Sequence, residues 1–168
     1  MSFTDLTLKI APATSADVTL ILNLIRELAD YEQMIDEVMV TEADLQRSLF
    51  SATPFAEAVI ARLDSTPVGF ALFFHSFSTF VGRRGLYLED LFVRPAYRGR
   101  GIGRRLLAHL AKLAVDRGCG RFEWSVLNWN ELAIASYRKV GAVSMDAWTT
   151  YRLTGDSLQA LAAETTNR

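Results

Sequence analysis

The sequence predicts an α/β fold, a central mixed β-sheet flanked by helices, and three observations carry that prediction. Stretches with strand alternation and stretches with helical spacing follow one another as β, α, α, β, β, β, α, β, α, β, without a linker-like segment or an internal repeat. The early strands are joined by a short turn, which makes an antiparallel pair, whereas the later ones are joined through helices and must pair in parallel. Of the 168 residues, 50% are hydrophobic and 22% charged, a balance that lets a chain of this length bury its own core. Residues 1–168 are therefore expected to form one domain.

Each element has a local cause. Leu6 to Ile10 alternates Leu/Thr/Leu/Lys/Ile and stops at Pro12, a short first strand. Ser15 is the expected cap of a helix whose Val18, Ile21, Leu22, Leu24, Ile25 and Leu28 fall on one face, running to about Tyr31. Thr41 with Asp44 three residues later reads as a capping box opening a second helix through Leu45 and Leu49. Residues 56–63 and 68–76, joined by Asp64-Ser-Thr-Pro67, form a hairpin pattern, and Leu86 to Val93 is a third long strand that Pro95 ends. After the glycine turn Arg98 to Gly103, the stripe Ile102, Leu106, Leu107, Leu110, Leu113 and Ala114 makes a helix that Gly118 closes. Arg121 to Val126 is the next strand, Asn130 to Val140 a helix closed by Gly141, and Ala147 to Leu153 a last strand. Ser157 to Ala163 adds a terminal helical turn or two.

Composition removes several functions. A lone cysteine, Cys119, cannot form an internal disulfide or a CxxC zinc pair and suits a reducing compartment. His75 and His109, the only histidines, lie too far apart for an HExxH site, so no metal is expected. No signal-like or membrane-spanning stretch is present, and the reading is a cytoplasmic protein with no membrane partner. Net charge is −1, which argues against a nucleic-acid partner. The charges are nevertheless segregated. Seven acids and no base lie between Glu27 and Asp44; eight bases and one acid, Asp116, lie between Arg94 and Arg121. Such blocks are either solvated helix faces or the two sides of a site that meets a cation and an anion.

The turn Arg98-Gly99-Arg100-Gly101-Ile102-Gly103 leads from a strand into a helix, so free N–H groups and the helix dipole converge there on one anion. No Gly-Lys-Ser or Gly-Lys-Thr makes it a P-loop, and Arg104 stands where the dinucleotide fingerprint needs its third glycine. What remains is R-x-x-G-x-G flanked by arginines, suited to a pyrophosphate and a further phosphate.

Strand LYLEDLFV, the loop RPAYRGRGIG and the later helix NWNELAIASYRKVGA together resemble the GNAT family of N-acetyltransferases. Within it the chain is most similar to the diamine or spermidine/spermine branch, also through IAPATSADVTLILNLIRELADYEQM, PVGFALFF and YRL. The resemblance implies acetyl-CoA as co-substrate, a small amine as acceptor, direct transfer in a ternary complex and a homodimer. It places the pyrophosphate on Arg98, Gly99, Arg100, Gly101, Ile102, Gly103 and Arg104, and pantetheine along the backbone of Leu91, Phe92 and Val93. Asn130 and Ser136 are expected near the pantetheine arm, and Tyr31 and Glu32 in the acceptor site. Glu89 is implied as proton acceptor, with Asp90 beside it on the acceptor, and Tyr137 as the acid that protonates the departing thiolate.

The residue types suit those roles. An alkylammonium is only about one part in 10³ deprotonated at pH 7, a deficit of roughly 4 to 5 kcal/mol that a base or desolvation must offset. A phenol is fully protonated there and always has the proton to donate. Strand neighbours point to opposite faces, so Glu89 and Asp90 are expected to divide between two roles. Where the polyamine enzymes carry acids, this chain has HSFSTFVGRRG and Trp148-Thr-Thr-Tyr151, so a shorter diamine or a lysine-like amino acid is as good an acceptor as spermine. Peptide amines, and a CoA-binding module without turnover, are the alternatives.

Overall fold

Residues 6–166 are described by the computed structural model, in which β1 (Leu8–Pro12), β2 (Glu57–Leu63), β3 (Thr66–Ser78), β4 (Arg83–Val93) and β5 (Phe122–Trp124) form one sheet in that spatial order. The first three pairings are antiparallel and β4–β5 is parallel, as the connections predict. Helices α1 (Val18–Tyr31) and α2 (Glu42–Phe50) cover one face. Their Ile21, Leu24, Leu45 and Leu49 pack with Ile60, Phe70 and Phe92 of the strands. On α3 (Ile102–Asp116), Leu106 and Leu110 are wholly buried. Burying each such side chain stabilises by about 1.5 to 3 kcal/mol, which makes this sheet and its helices the core of the molecule.

Element ends depart from the sequence expectation for identifiable reasons. The first helix begins with a 3₁₀ turn at Ser15, and its cap is Thr14: the Thr14 N–H and hydroxyl donate to the Asp17 carboxylate at 2.8 and 3.0 Å. Strand β1 runs on to Pro12, tolerated because it is the last residue of an edge strand. The predicted Thr41–Asp44 box is present, with the Asp44 N–H donating to the Thr41 hydroxyl at 3.2 Å. Strand β4 starts at Arg83, because β3 and β4 form a longer hairpin than alternation alone suggested.

The chain divides into two compact units, the first ending at Leu127 and the second beginning at Asn128. The second holds α4 (Glu131–Lys139) and α5 (Gly155–Ala163). Asn130 caps α4, its Oδ1 accepting from the Ala133 N–H at 3.2 Å, and Gly141, at φ +85°, ends it as predicted. Ala147 to Leu153 does not form the expected strand. β-Favouring residues are there, but among the described residues they enter no ladder, and propensity alone does not make a strand. No residue from 128 to 165 is buried.

Candidate active site

The site is built where β4 stops being regular. Leu88 faces Phe73 and Asp90 faces Leu72, which leaves Glu89 as an extra, unpaired residue: a β-bulge. The bulge interrupts the regular pairing of β4 with β3 at Glu89. Asp90 comes round to the face shared with Leu72 and α1, and the Glu89 charge stays close enough to act on it. Glu89 is exposed and Asp90 half-buried, and the single inserted residue shifts the pairing of everything beyond it by one.

Pairing with β5 also ends at Leu88, so among the described residues β4 presents an open edge from Glu89 to Val93. The Arg94 N–H donates to the Val68 carbonyl at 2.9 Å, across to β3. Strand residues alternate in hydrogen-bonding direction, so Phe92 also turns its backbone to β3, while Leu91 and Val93 turn theirs to the open edge. Of the three residues expected to hold an added strand, two have backbone groups aimed for it. Phe92 contributes its ring.

Asp90 is half-buried, and its carboxyl is pushed up to about 6, first by desolvation, then by the Glu89 and Glu32 charges. Burial also raises the Glu32 carboxyl, just beyond the end of α1. Of the acidic block, Glu32 is the member drawn into this group. Glu27 instead forms a bidentate pair with Arg94, at 2.9 Å to Nε and 2.7 Å to Nη2, while Arg94 Nη1 donates to the Pro67 carbonyl at 2.8 Å. Part of the basic block is likewise ion-paired: Lys112 with Asp116 on an exposed face of α3, which suits the solvated-face reading there, and part-buried Arg117 with Glu57 of β2.

Following β4, Gly99 and Gly101 adopt φ +75° and +76°, with open space where a Cβ would stand. Gly101 caps α3, whose first turn carries no acid, leaving its first N–H groups and its dipole for an anion. Gly103 approaches Leu91 and Val93. Arg104 stands exposed on the first turn; Arg100 lies over Tyr97 and donates to the Ala96 carbonyl at 3.2 Å. Arg98 is turned the other way. Its guanidinium lies 4.1 Å from the Tyr31 ring centroid and 5.4 Å from that of Phe92, and its Nε donates to the Val93 carbonyl at 2.9 Å. Nothing in the sequence pattern signalled that contact, since Tyr31 and Arg98 are far apart along the chain.

In the second unit, Tyr137 is a half-buried residue of α4. Next to it in the chain, the Ser136 hydroxyl donates to the Leu132 carbonyl at 3.0 Å, and Asn130 is engaged in capping. The structure therefore places Tyr31, Glu32, Glu89, Asp90 and the 91–104 segment in the first unit, with Asn130, Ser136 and Tyr137 together at the start and middle of α4.

An open strand edge leading into a glycine-rich anion turn is the arrangement of acyl-CoA transferases of one fold, and the family model for the acetyltransferase (GNAT) family matches residues 23–142. The chain belongs to that family. It is an acetyl-CoA-dependent amine N-acetyltransferase, and the residues present fit the co-substrate: an unobstructed glycine cradle, a helix N-terminus without acids and two outward strand residues.

Among its relatives is a thialysine N-epsilon-acetyltransferase of Bos taurus, 37% identical over 92% of this chain and 97% of that protein. An L-ornithine N5-acetyltransferase of Arabidopsis thaliana is 32% identical over 91% and 87%. An integron cassette protein from the Vibrio cholerae mobile metagenome superposes with a TM-score of 0.77 at 28% identity, over 92% of this chain and 97% of that one.

Proposed function

We propose that the protein acetylates the side-chain amine of a lysine-like amino acid or a short diamine, with residues 1–168 acting as a single N-acetyltransferase domain. The family match crosses the boundary at Leu127, and the relatives align with nearly all of the chain, which supports the single-domain reading. Thialysine and ornithine in the relatives' names carry a primary amine on a short arm. The observation that carries the reading is the partly buried Asp90, a carboxyl of pKa about 6 beside the open edge, on which the Glu89 and Glu32 charges act.

Bound acetyl-CoA supplies the activated acyl carbon. The Gly99–Gly103 backbone and the start of α3 hold its phosphates, while Leu91 and Val93 align the arm. Glu32 and Asp90 draw the ammonium in, and their partial burial strengthens that attraction. One carboxylate of the Glu89–Asp90 pair then takes the proton that must leave before nitrogen attacks; at Asp90, a carboxyl of pKa about 6 is mostly ionised at pH 7 yet still basic enough to accept it. As the C–N bond forms and the C–S bond breaks, the Tyr137 hydroxyl gives its proton to the sulfur. Asn130 and Ser136 hold α4 in shape through their own helix bonds.

A homodimer accords with the exposed Leu132, Val143, Trp148 and Tyr151 of the second unit, apolar side chains that a second copy would cover. A cytoplasmic location accords with the one free thiol.

An acetyl-CoA assay across thialysine, lysine, ornithine, short diamines, spermine and lysine peptides tests this reading. Highest kcat/KM is expected for the lysine-like amino acids and short diamines. Turnover of peptides alone would overturn the acceptor assignment, and no turnover at all with retained acetyl-CoA binding would reduce the protein to a binding module.

A further inference from the structure

We infer that Arg98 is a positioning residue that couples the acceptor wall to the coenzyme edge, so that the two substrates bind cooperatively; this rests on the function proposed above. The Val93 carbonyl belongs to the open edge of β4, and Arg98 Nε holds it at 2.9 Å. The same guanidinium lies 4.1 Å from the Tyr31 ring, on the last residue of α1, immediately before Glu32. Phe92 lies 5.4 Å from the guanidinium, completing an aromatic slot. A planar guanidinium is suited to such a seat because it stacks through its face while donating through its rim.

Two consequences follow from this geometry. Arg98, although it opens the phosphate turn, has its charge directed to the acceptor side, leaving the anion to Arg100, Arg104 and the backbone. Tyr31, although it belongs to the acceptor wall, helps to fix the strand end on which the coenzyme arm lies. Any shift of Tyr31 on amine binding moves the guanidinium and hence the Val93 carbonyl, and by linkage the effect of each substrate on the other is equal.

The experiment is calorimetric titration of acetyl-CoA without amine into the wild type, Tyr31→Leu, Tyr31→Phe, Arg98→Leu and the double variant Tyr31→Leu/Arg98→Leu, with CoA titrated into the wild type and Arg98→Leu with and without a saturating short diamine. The diamine should change CoA affinity in the wild type and not in Arg98→Leu, and an equal effect in both would overturn the cooperativity. Tyr31→Leu is expected to weaken acetyl-CoA binding about fivefold, the size of an ordinary coupling. Tyr31→Phe, which keeps the ring, should bind as the wild type does and so show that the loss is not one of folding. The double variant should bind no more weakly than Arg98→Leu. Wild-type affinity in Tyr31→Leu, or losses that add in the double variant, would overturn the coupling and leave the proposed function standing. Failure of the wild type itself to bind acetyl-CoA would overturn both.

Discussion

The two units of this protein secure their elements by different means. Up to Leu127, helices lie on a sheet whose Phe70 and Ile60 are wholly buried, as is Leu106 of α3, and ion pairs such as Arg94–Glu27 fasten one element to another. From Asn128 onward the helices are short, α4 is capped by Asn130 and ended by Gly141, and yet no residue of α4 or α5 is buried. Capping and turn chemistry shape a helix; they do not supply the burial that makes it persist. The first unit accordingly has the rigidity to distort one strand at Glu89 and enclose a carboxylate at Asp90, whereas the second carries Tyr137 on a helix that depends on its surroundings for stability.

Paired truncations test that contrast most strongly. Phe70→Ala should destabilise the protein by about 3 to 5 kcal/mol in denaturant unfolding, the usual loss for a large core aromatic. Leu132→Ala, at a position 80% exposed, should change stability by less than about 0.5 kcal/mol. A loss above about 1 kcal/mol at Leu132 that disappears on dilution would mean that a second copy covers it, and would sharpen the homodimer proposal into a mapped interface.

Function divides along the same line. Tyr137→Phe removes only a hydroxyl from the second unit, so turnover should fall by about 10² or more, roughly 2.7 kcal/mol, with little change in acetyl-CoA affinity. An unchanged kcat at saturating substrates would take the acid role away from Tyr137.

Asp90→Asn probes the first unit and should act in opposite directions on activity and stability. The Asp90 carboxyl titrates near 6 in the folded chain against 3.8 as its ordinary value, so the folded state binds the proton more tightly. Stability from this group is therefore greatest below about pH 4 and declines as pH rises through about 6. Above that, the ionised carboxylate costs up to about 2 kcal/mol after allowance for its partial exposure. Asp90→Asn should raise Tm by a few degrees at pH 7.5, with no gain at pH 3.5, and should abolish most amine turnover. In the wild type, kcat/KM should fall as pH drops below about 6, because protonated Asp90 neither attracts the ammonium nor accepts its proton. An equal gain in Tm at both pH values would remove desolvation as the cause of the shift.

How much of this could be read from residues alone follows from the range of each signal. Apolar periodicity found α1 and α3, the Thr41–Asp44 box found the start of α2, and Gly118 and Gly141 marked helix ends correctly, because each depends on residues within one or two turns. The glycine turn was legible for the same reason. The bulge was not: whether β4 alternates through Glu89 depends on its register against β3, which no local pattern records. The Arg98–Tyr31 stack and the Glu27–Arg94 pair join residues more than 60 positions apart and emerge only when α1 lies against the end of β4. The strand expected over 147–153 failed for a related reason, since its partner edge is not encoded in its own sequence.

The smallest expected effect separates the two units most cleanly. Asn130 and Thr41 each accept a hydrogen bond from a backbone N–H three residues on, so removing either side chain should cost its helix about 1 kcal/mol. In α2 that helix is fastened by buried Leu45 and Leu49, and it cannot open without exposing the core. Thr41→Ala should therefore lower global stability, read as a shift in denaturant midpoint, with little change in local exchange. In α4, nine residues long and without a buried side chain, opening exposes no core. Asn130→Ala should leave the midpoint nearly in place and instead speed amide exchange in residues 131–139 about fivefold, the factor that 1 kcal/mol represents. Hydrogen exchange followed by mass spectrometry reads both variants in one experiment. A common shift of the midpoint from both caps would mean that α4 opens only with the whole molecule, and the contrast drawn from burial would then fail.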